Sequence, residues 1–341
     1  MNRFPSRICF VIAALLLFLS SCKNREFPYS DFRGFAQGTT YSIIYQNNRR
    51  LDPQILKNEI ETILLDFDMS LSLYQDSSIV SRINRNEDVI VDAYFSEVFR
   101  QSKEISSLTG GTFDITVGPL VKAWGFGPDA QKNFTETKRD SLIRLVGMNK
   151  VELVDGHIVK ADPGIILDFN AIAQGYSVDV IAGFFDEKKI DSYLIEIGGE
   201  VRTRGLRNGA YWRIGIDRPE DNNLIPGYNM QAVIRISDRS LATSGNYRKF
   251  IVEEGIKYSH TIDPVTGYPV RDRLLSVTII AENCALADGI ATACMVMGIE
   301  RAREFLKRNP QFDGYLIFSD EAGNFRTWYT GNLGNYIAEN P

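Results

Sequence analysis

Apolar positions along the chain follow two periods that alternate irregularly. From Asp52 to Met69 they recur at helical spacing, at Ile55, Ile60, Ile63, Leu64 and Phe67. Ser96 to Leu108 predicts a second helix, stopped by Gly110-Gly111. Gly38 to Tyr45 and the short apolar run Gly164 to Leu167 read as strands. Tyr193 to Ile197, Trp212 to Ile216 and Met230 to Ile236 read as strands of a sheet, and Ser276 to Ala281 as a further strand. Asn170 is expected to cap a helix running to about Asp186. Cys284 to Met297 is apolar almost all round, which predicts a buried helix ended by Gly298. Strands in runs with helices interspersed predict an α+β fold rather than a doubly wound parallel sheet.

The first residues follow a different logic. Arg3 and Arg7 precede an apolar stretch from Ile8 to Leu19, too short for a comfortable span and fitting a signal-peptide core. Leu19-Ser20-Ser21-Cys22 resembles the bacterial lipoprotein cleavage box, in which Cys22 would carry lipid and become the new N-terminus. The expected organisation is a signal peptide over 1–21, a tether over 22–34 and one folded domain over 35–335. The expected location is a membrane surface facing the periplasm, anchored but not spanned, the inner membrane more than the outer. Cys284 and Cys294 then remain in the folded part. Their Ala-rich surroundings read as buried thiols, with a disulfide left open.

Composition removes several classes of function. Lys plus Arg total 38 against 43 Asp plus Glu, which argues against nonspecific binding to a nucleic-acid backbone. Two His exclude a multi-His metal centre. No dinucleotide fingerprint, P-loop, HExxH or GxSxG is present.

Four constellations carry the remaining chemistry. Asp288 sits early in the apolar helix, with Thr292 four residues on and on the same face. A buried carboxylate needs a partner. A hard cation with oxygen ligands, the helix N-terminus or a buried Arg would each serve. Asp168 to Tyr176 (DFNAIAQGY) puts a carboxylate where an extended run meets a helix, a junction that presents backbone groups to a ligand. His260 precedes the turn Asp263-Pro264-Val265-Thr266-Gly267, as a structural residue or a general base. Gly111 to Leu120 leads to Trp124-Gly125-Phe126-Gly127, whose glycines and aromatics would admit a flat ligand. Tyr74 adds an aromatic with polar neighbours.

Six segments in this order resemble the FAD:protein FMN transferase (ApbE) family. They are SLYQDSSIVSRIN, GTFDITVGPLVKAWGFG, DFNAIAQGYSVD, IEIGGE, TSGNYRKF with SHTIDPVTGYPV, and ADGIATACMVMG. The resemblance implies mostly antiparallel sheets with flanking helices, and FAD in a central cleft with its pyrophosphate bridged to Mg2+. Asp288, Thr292 and the carbonyl of Ala171 would hold the metal. Gln37, Tyr74, Thr112, Phe113, Asp114, Asp168, Gln174 and Ile262 would contact FAD, and His260 matches the candidate base. The implied reaction moves FMN from FAD to a Thr hydroxyl of a flavin-carrying subunit, as in sodium-pumping NADH:quinone reductase (Nqr) and Rnf complexes, and releases AMP. A Mg2+-dependent FAD pyrophosphatase and a non-catalytic flavin-binding lipoprotein are the alternatives. Four positions depart from the family pattern: Gln174 for Lys, Asn170 for Gly, Gln37 for Met and Glu196 for Asn.

Overall fold

The computed structural model describes residues 28–128, 134–220, 227–246, 250–253, 256–259 and 261–339. In chain order the strands are β1 (Tyr29–Ala36), β2 (Thr39–Gln46), β3 (Val151–Val154), β4 (His157–Lys160), β5 (Tyr193–Ile197), β6 (Glu200–Arg204), β7 (Trp212–Asp217), β8 (Met230–Ile236), β9 (Ser240–Gly245), β10 (Phe250–Glu253), β11 (Ile256–Ser259), β12 (Leu274–Ala281), β13 (Asp313–Ser319), β14 (Phe325–Tyr329) and β15 (Ile337–Glu339). The α-helices are α1 (Pro53–Leu71), α2 (Ile79–Asn84), α3 (Ala93–Leu108), α4 (Gly118–Ala123), α5 (Glu136–Leu142), α6 (Ala173–Glu187) and α7 (Cys284–Arg308).

Alternation along the central strands divides the core into two layers. Eight strands pair in the order β1-β2-β5-β6-β9-β12-β13-β14, each pair antiparallel. On β12, Val277 and Ile279 face the helices, while Ile280 faces the three-stranded sheet β15-β8-β7. On β2 and β5, Tyr41, Ile43, Tyr45, Tyr193 and Ile195 pack against Leu56, Ile60 and Leu64 of α1 and Ile181 of α6. Helices on one face and a small sheet on the other make the fold α+β, as the alternation of elements predicts.

Several boundaries differ from expectation, each for a local reason. Gly164 to Leu167 joins no ladder. Ile165 and Leu167 are buried, and the Asn84 amide pairs with Leu167 through both backbone groups, N–H at 2.8 Å and C=O at 2.9 Å. Asn170 does not cap α6. It lies in a turn closed by its N–H donating to Asp168 Oδ1 at 2.9 Å, and α6 starts at Ala173. Trp212–Asp217 and Met230–Ile236 pair with each other in the second sheet, apart from β5. Gly298 breaks α7 with φ 72°, but helix resumes to Arg308. The tether expected over 22–34 overlaps β1, whose residues from Tyr29 pair with β2; the signal peptide and Cys22 lie outside the described residues. Cys284 and Cys294 are buried free thiols.

One polar junction fixes α6, α7 and β6 together. Asp179 on α6 accepts from the N–H groups of Cys284 and Ala285, each at 2.8 Å, and from Arg202 Nη1 at 3.0 Å. A carboxylate on α6 thus caps α7. Asp179→Ala is expected to cost roughly 2–4 kcal/mol, because it removes the carboxylate partner of Arg202 and the acceptor of the Cys284 and Ala285 N–H groups. Urea unfolding measures this, and Asp179→Asn should lose less.

Candidate active site

A cavity of about 880 Å³ opens where the starts of α6 and α7 meet the loop after α3, the end of β9 and the end of β7. Gln37, Tyr74, Thr112, Phe113, Asp114, Asp168, Ala171, Gln174, Ile262, Asp288 and Thr292 all line it. These residues come from segments far apart in the chain, and the fold brings them to one place. His260 lies outside the described residues.

Asp288 is the buried charge of the cavity, 7% exposed. Burial pushes its carboxyl up to about 7, against a smaller opposing effect of the Gly175 N–H, which donates to Oδ2 at 3.1 Å. Among the described residues that is its one hydrogen bond, and no Arg or Lys pairs with it. Gly175 allows this approach. A Cβ there would stand 2.5 Å from the Cys284 carbonyl oxygen and 2.8 Å from Asp288 Cβ. One turn along, the Thr292 hydroxyl shares a hydrogen bond with Ser244 Oγ at 3.2 Å. The groups here are a carboxylate and the hydroxyls of Thr292 and Ser244, with Ala171 lining the same cavity. This all-oxygen set suits a hard divalent cation. Among the described residues no group of three or more His, Cys, Asp or Glu could hold a metal.

The wider lining is one-sided in charge. Asp68, Asp114, Asp168, Glu200, Asp217 and Asp288 supply six carboxyl groups, with no Lys, Arg or His among the described lining residues. Arg248, Lys249 and His260 lie outside them. Burial raises the carboxyls of Asp68, Asp114 and Asp168 above the ordinary range. Asp114 is held internally: Oδ1 accepts from the Thr116 N–H and hydroxyl at 2.8 and 2.6 Å, and Oδ2 from the Met148 N–H at 3.1 Å. Its side chain therefore shapes the loop that carries Thr112 and Phe113, both buried. Tyr74 is 67% exposed and offers a ring face at the opening. Gln37 sits at positive φ in the β1–β2 turn, its Oε1 accepting from Ser177. The amide of Gln174 lies against Gly198, which has φ 67° and no room for a Cβ. Glu196, where the family pattern has Asn, accepts from the Gly199 N–H at 2.8 Å and so holds the Gly-Gly turn.

Residue patterns alone do not single out Asn84, Asp179 or Gly175. Asn84 ends the motif SLYQDSSIVSRIN, and its amide acts 83 residues away on the segment that delivers Asp168. Trp124 does not line the cavity; Val121, Phe126 and Gly127 from the same segment do. The turn from Asp263 forms as read, with Asp263 accepting from the Val265 N–H and the Thr266 hydroxyl.

The model of the ApbE family matches residues 37–316. The chain belongs to the ApbE family. The FAD:protein FMN transferase of Vibrio cholerae is 36% identical over 336 residues, 96% of this chain and 98% of that protein. The protein of the same name from Haemophilus influenzae is 32% identical over 92% of this chain and 93% of its own length. Among solved structures, the flavin transferase ApbE from Vibrio cholerae superposes with a TM-score of 0.81 at 33% identity, covering 91% of this chain and 99% of that one. The apo flavinyl transferase ApbE of Pseudomonas stutzeri gives 0.81 at 29% identity, covering 91% and 96%. The six motifs therefore resemble the family to which the chain belongs, and the mixed α+β architecture is an ApbE fold.

The α6–α7 contact yields a paired test. Gly175→Ala is expected to destabilise the ApbE domain by about 1–3 kcal/mol, since its Cβ would meet backbone. Gly183→Ala, on the exposed side of the same helix with nothing within 4 Å, is expected to stabilise by about 0.5–1 kcal/mol. Thermal unfolding of both variants reads the difference in sign.

Proposed function

We propose that this chain transfers FMN from FAD to a threonine hydroxyl of a target flavoprotein subunit and releases AMP. The observation that carries the reading is the gathering of the motif residues around one cavity in a chain that shares nearly its whole length with FAD:protein FMN transferases. In the proposed step the threonine oxygen bonds to the FMN phosphorus. The bridging bond to the AMP phosphate breaks, and AMP leaves with the bridging oxygen. The hydroxyl proton passes to a base, for which His260 is the candidate; such help is typically worth about 10²–10⁴-fold.

The chain's own groups divide the work. Asp288, Thr292 and the Ala171 carbonyl would hold Mg2+. Bound there, Mg2+ would offset the charge of the diphosphate and the charge that develops on the leaving AMP. The ring face of Tyr74 and the apolar Ile262 would receive the flat parts of FAD. Thr112, Phe113 and Asp114 shape the wall behind it, and Asp168 and Gln174 add polar contacts. Lipid on Cys22 would keep the enzyme at the periplasmic face of the inner membrane, beside acceptor subunits of membrane redox complexes of the Nqr and Rnf kind.

Purified protein mixed with FAD, Mg2+ and an acceptor subunit tests the reading. Covalent flavin on the acceptor with matching AMP is the expected result. AMP release without an acceptor would replace transfer by hydrolysis, and stoichiometric FAD binding without turnover would leave a flavin-binding protein. In the cell, Cys22→Ser should move the protein from the membrane to the soluble fraction; unchanged membrane association would contradict the anchor.

Asp288 gives a separate prediction. Its carboxyl lies higher in the fold than in the unfolded chain, so its protonated form favours folding below the unfolded value. That contribution is lost as pH rises towards about 7. In metal-free protein Asp288→Asn should therefore raise Tm by a few degrees, more at pH 8 than at pH 5. It should also remove any rise in Tm on adding Mg2+. A lower Tm at pH 8 with the Mg2+ effect intact would refute the assignment.

A further inference from the structure

The hairpin from Thr261 to Val270 is held from outside the cavity it helps to wall. Its two arms meet through the Asp263 N–H to the Tyr268 carbonyl and the Val270 N–H to the Thr261 carbonyl, both at 2.9 Å, with Ile262 bridged to Pro269. On the inner side Ile262 and Pro264 line the cavity. On the outer side two carbonyls of the turn are claimed by distant side chains. Trp124 Nε1–H donates to the Gly267 oxygen at 2.9 Å, and Arg139 Nη1–H to the Thr266 oxygen at 3.1 Å. Trp124 also stacks on Phe134, with ring centroids 3.7 Å apart. The Arg139 guanidinium lies over the Tyr268 ring at 5.0 Å, and the Tyr268 hydroxyl donates to Glu136. Among the described residues, side-chain hydrogen bonds tie residues 263–268 to Trp124 and Arg139, which donate, and to Glu136, which accepts.

We propose that Trp124 and Arg139 are positioning residues for flavin transfer, acting through this hairpin. The inference rests on the reading of the cavity as the site of transfer. Hydrogen bonds from a rigid indole and a planar guanidinium set the height of the turn, and with it the place of Ile262 and Pro264 against the bound nucleotide. The hairpin also follows His260 directly in the chain. Displacing a wall of a reaction site by about 1 Å is enough to slow chemistry up to a hundredfold. Neither side chain needs to touch the nucleotide to have this effect. Trp124 belongs to the segment whose Val121 and Phe126 form the neighbouring wall, so one short stretch sets two walls at once.

Trp124→Phe removes the donor and keeps the stacking ring; Arg139→Ala removes the second grip and Arg139→Lys restores only charge. Single-turnover FMN transfer at saturating FAD is measured per folded molecule, with amide exchange of residues 263–268 followed alongside. Trp124→Phe and Arg139→Ala should each slow transfer about tenfold or more and speed exchange in the turn, with Tm shifted by only a few degrees. Arg139→Lys should recover part of the rate, and the double variant should fall short of the product of the single losses, since both act on one hairpin. Unchanged transfer in both single variants, with wild-type protein active, would overturn the proposal while leaving the transfer reading intact. No transfer by the wild-type protein would instead remove the reading on which the inference rests.

Discussion

On the proposed reading, a diphosphate settles in a cavity whose described walls carry six carboxyl groups and no cationic side chain. Like charges at a few ångströms in a partly desolvated cleft repel by several kcal/mol, about 4 at 4 Å for an effective dielectric of 20. Burial raises the carboxyls of Asp68, Asp114, Asp168 and Asp288, because desolvation disfavours their charged forms. Under the proposed function, a counter-charge would arrive with the ligand. Asp288 is the best-placed acceptor for it. It is buried, it has no cationic partner among the described residues, and a hydroxyl from Thr292 lies one turn away on its helix.

That requirement shapes the surrounding fold. Keeping a carboxylate at the base of the cleft takes a helix apolar on nearly every side, so α7 is buried along its first half. At its N-terminus Asp179 from α6 accepts from the Cys284 and Ala285 N–H groups, beside the Asn283 cap, which accepts from the Leu286 N–H. Close contact between α6 and α7 needs Gly175, whose N–H then reaches Asp288. The same arrangement is costly without a cation, because a buried charge with one hydrogen bond opposes folding. A site that lowers stability in the empty protein and gains it on loading is a familiar exchange of stability for function.

The long apolar patterns were legible in the chain. Helices α1 and α3, the first half of α7 and strand β12 lie close to where periodicity and caps put them. Among the strands that the pattern did not single out, β6 (EVRTR) and β9 (SLATSG) are rich in polar residues although they sit mid-sheet. Their polar side chains find partners across the sheet, as Thr243 does with Thr278 at 2.8 Å, and apolar alternation is blind to that. Gly164 to Leu167 misled in the opposite way. Its Ile165 and Leu167 are buried, but a single asparagine side chain, not a ladder, satisfies Leu167. The cavity residues were legible as six spaced motifs, and the fold gathers them. The supports, Asn84, Asp179 and Trp124, act 83, 105 and 143 residues away, and no local pattern reveals such partners.

The central claim is that nucleotide and cation enter together. Isothermal titration of FAD into the full domain across a range of free Mg2+, with a chelator as the zero point, tests it most directly. The account predicts affinity that climbs with Mg2+ and is weaker by about a hundredfold or more in the chelator, a coupling on the order of 3 kcal/mol. Equal FAD affinity with and without Mg2+ would contradict it.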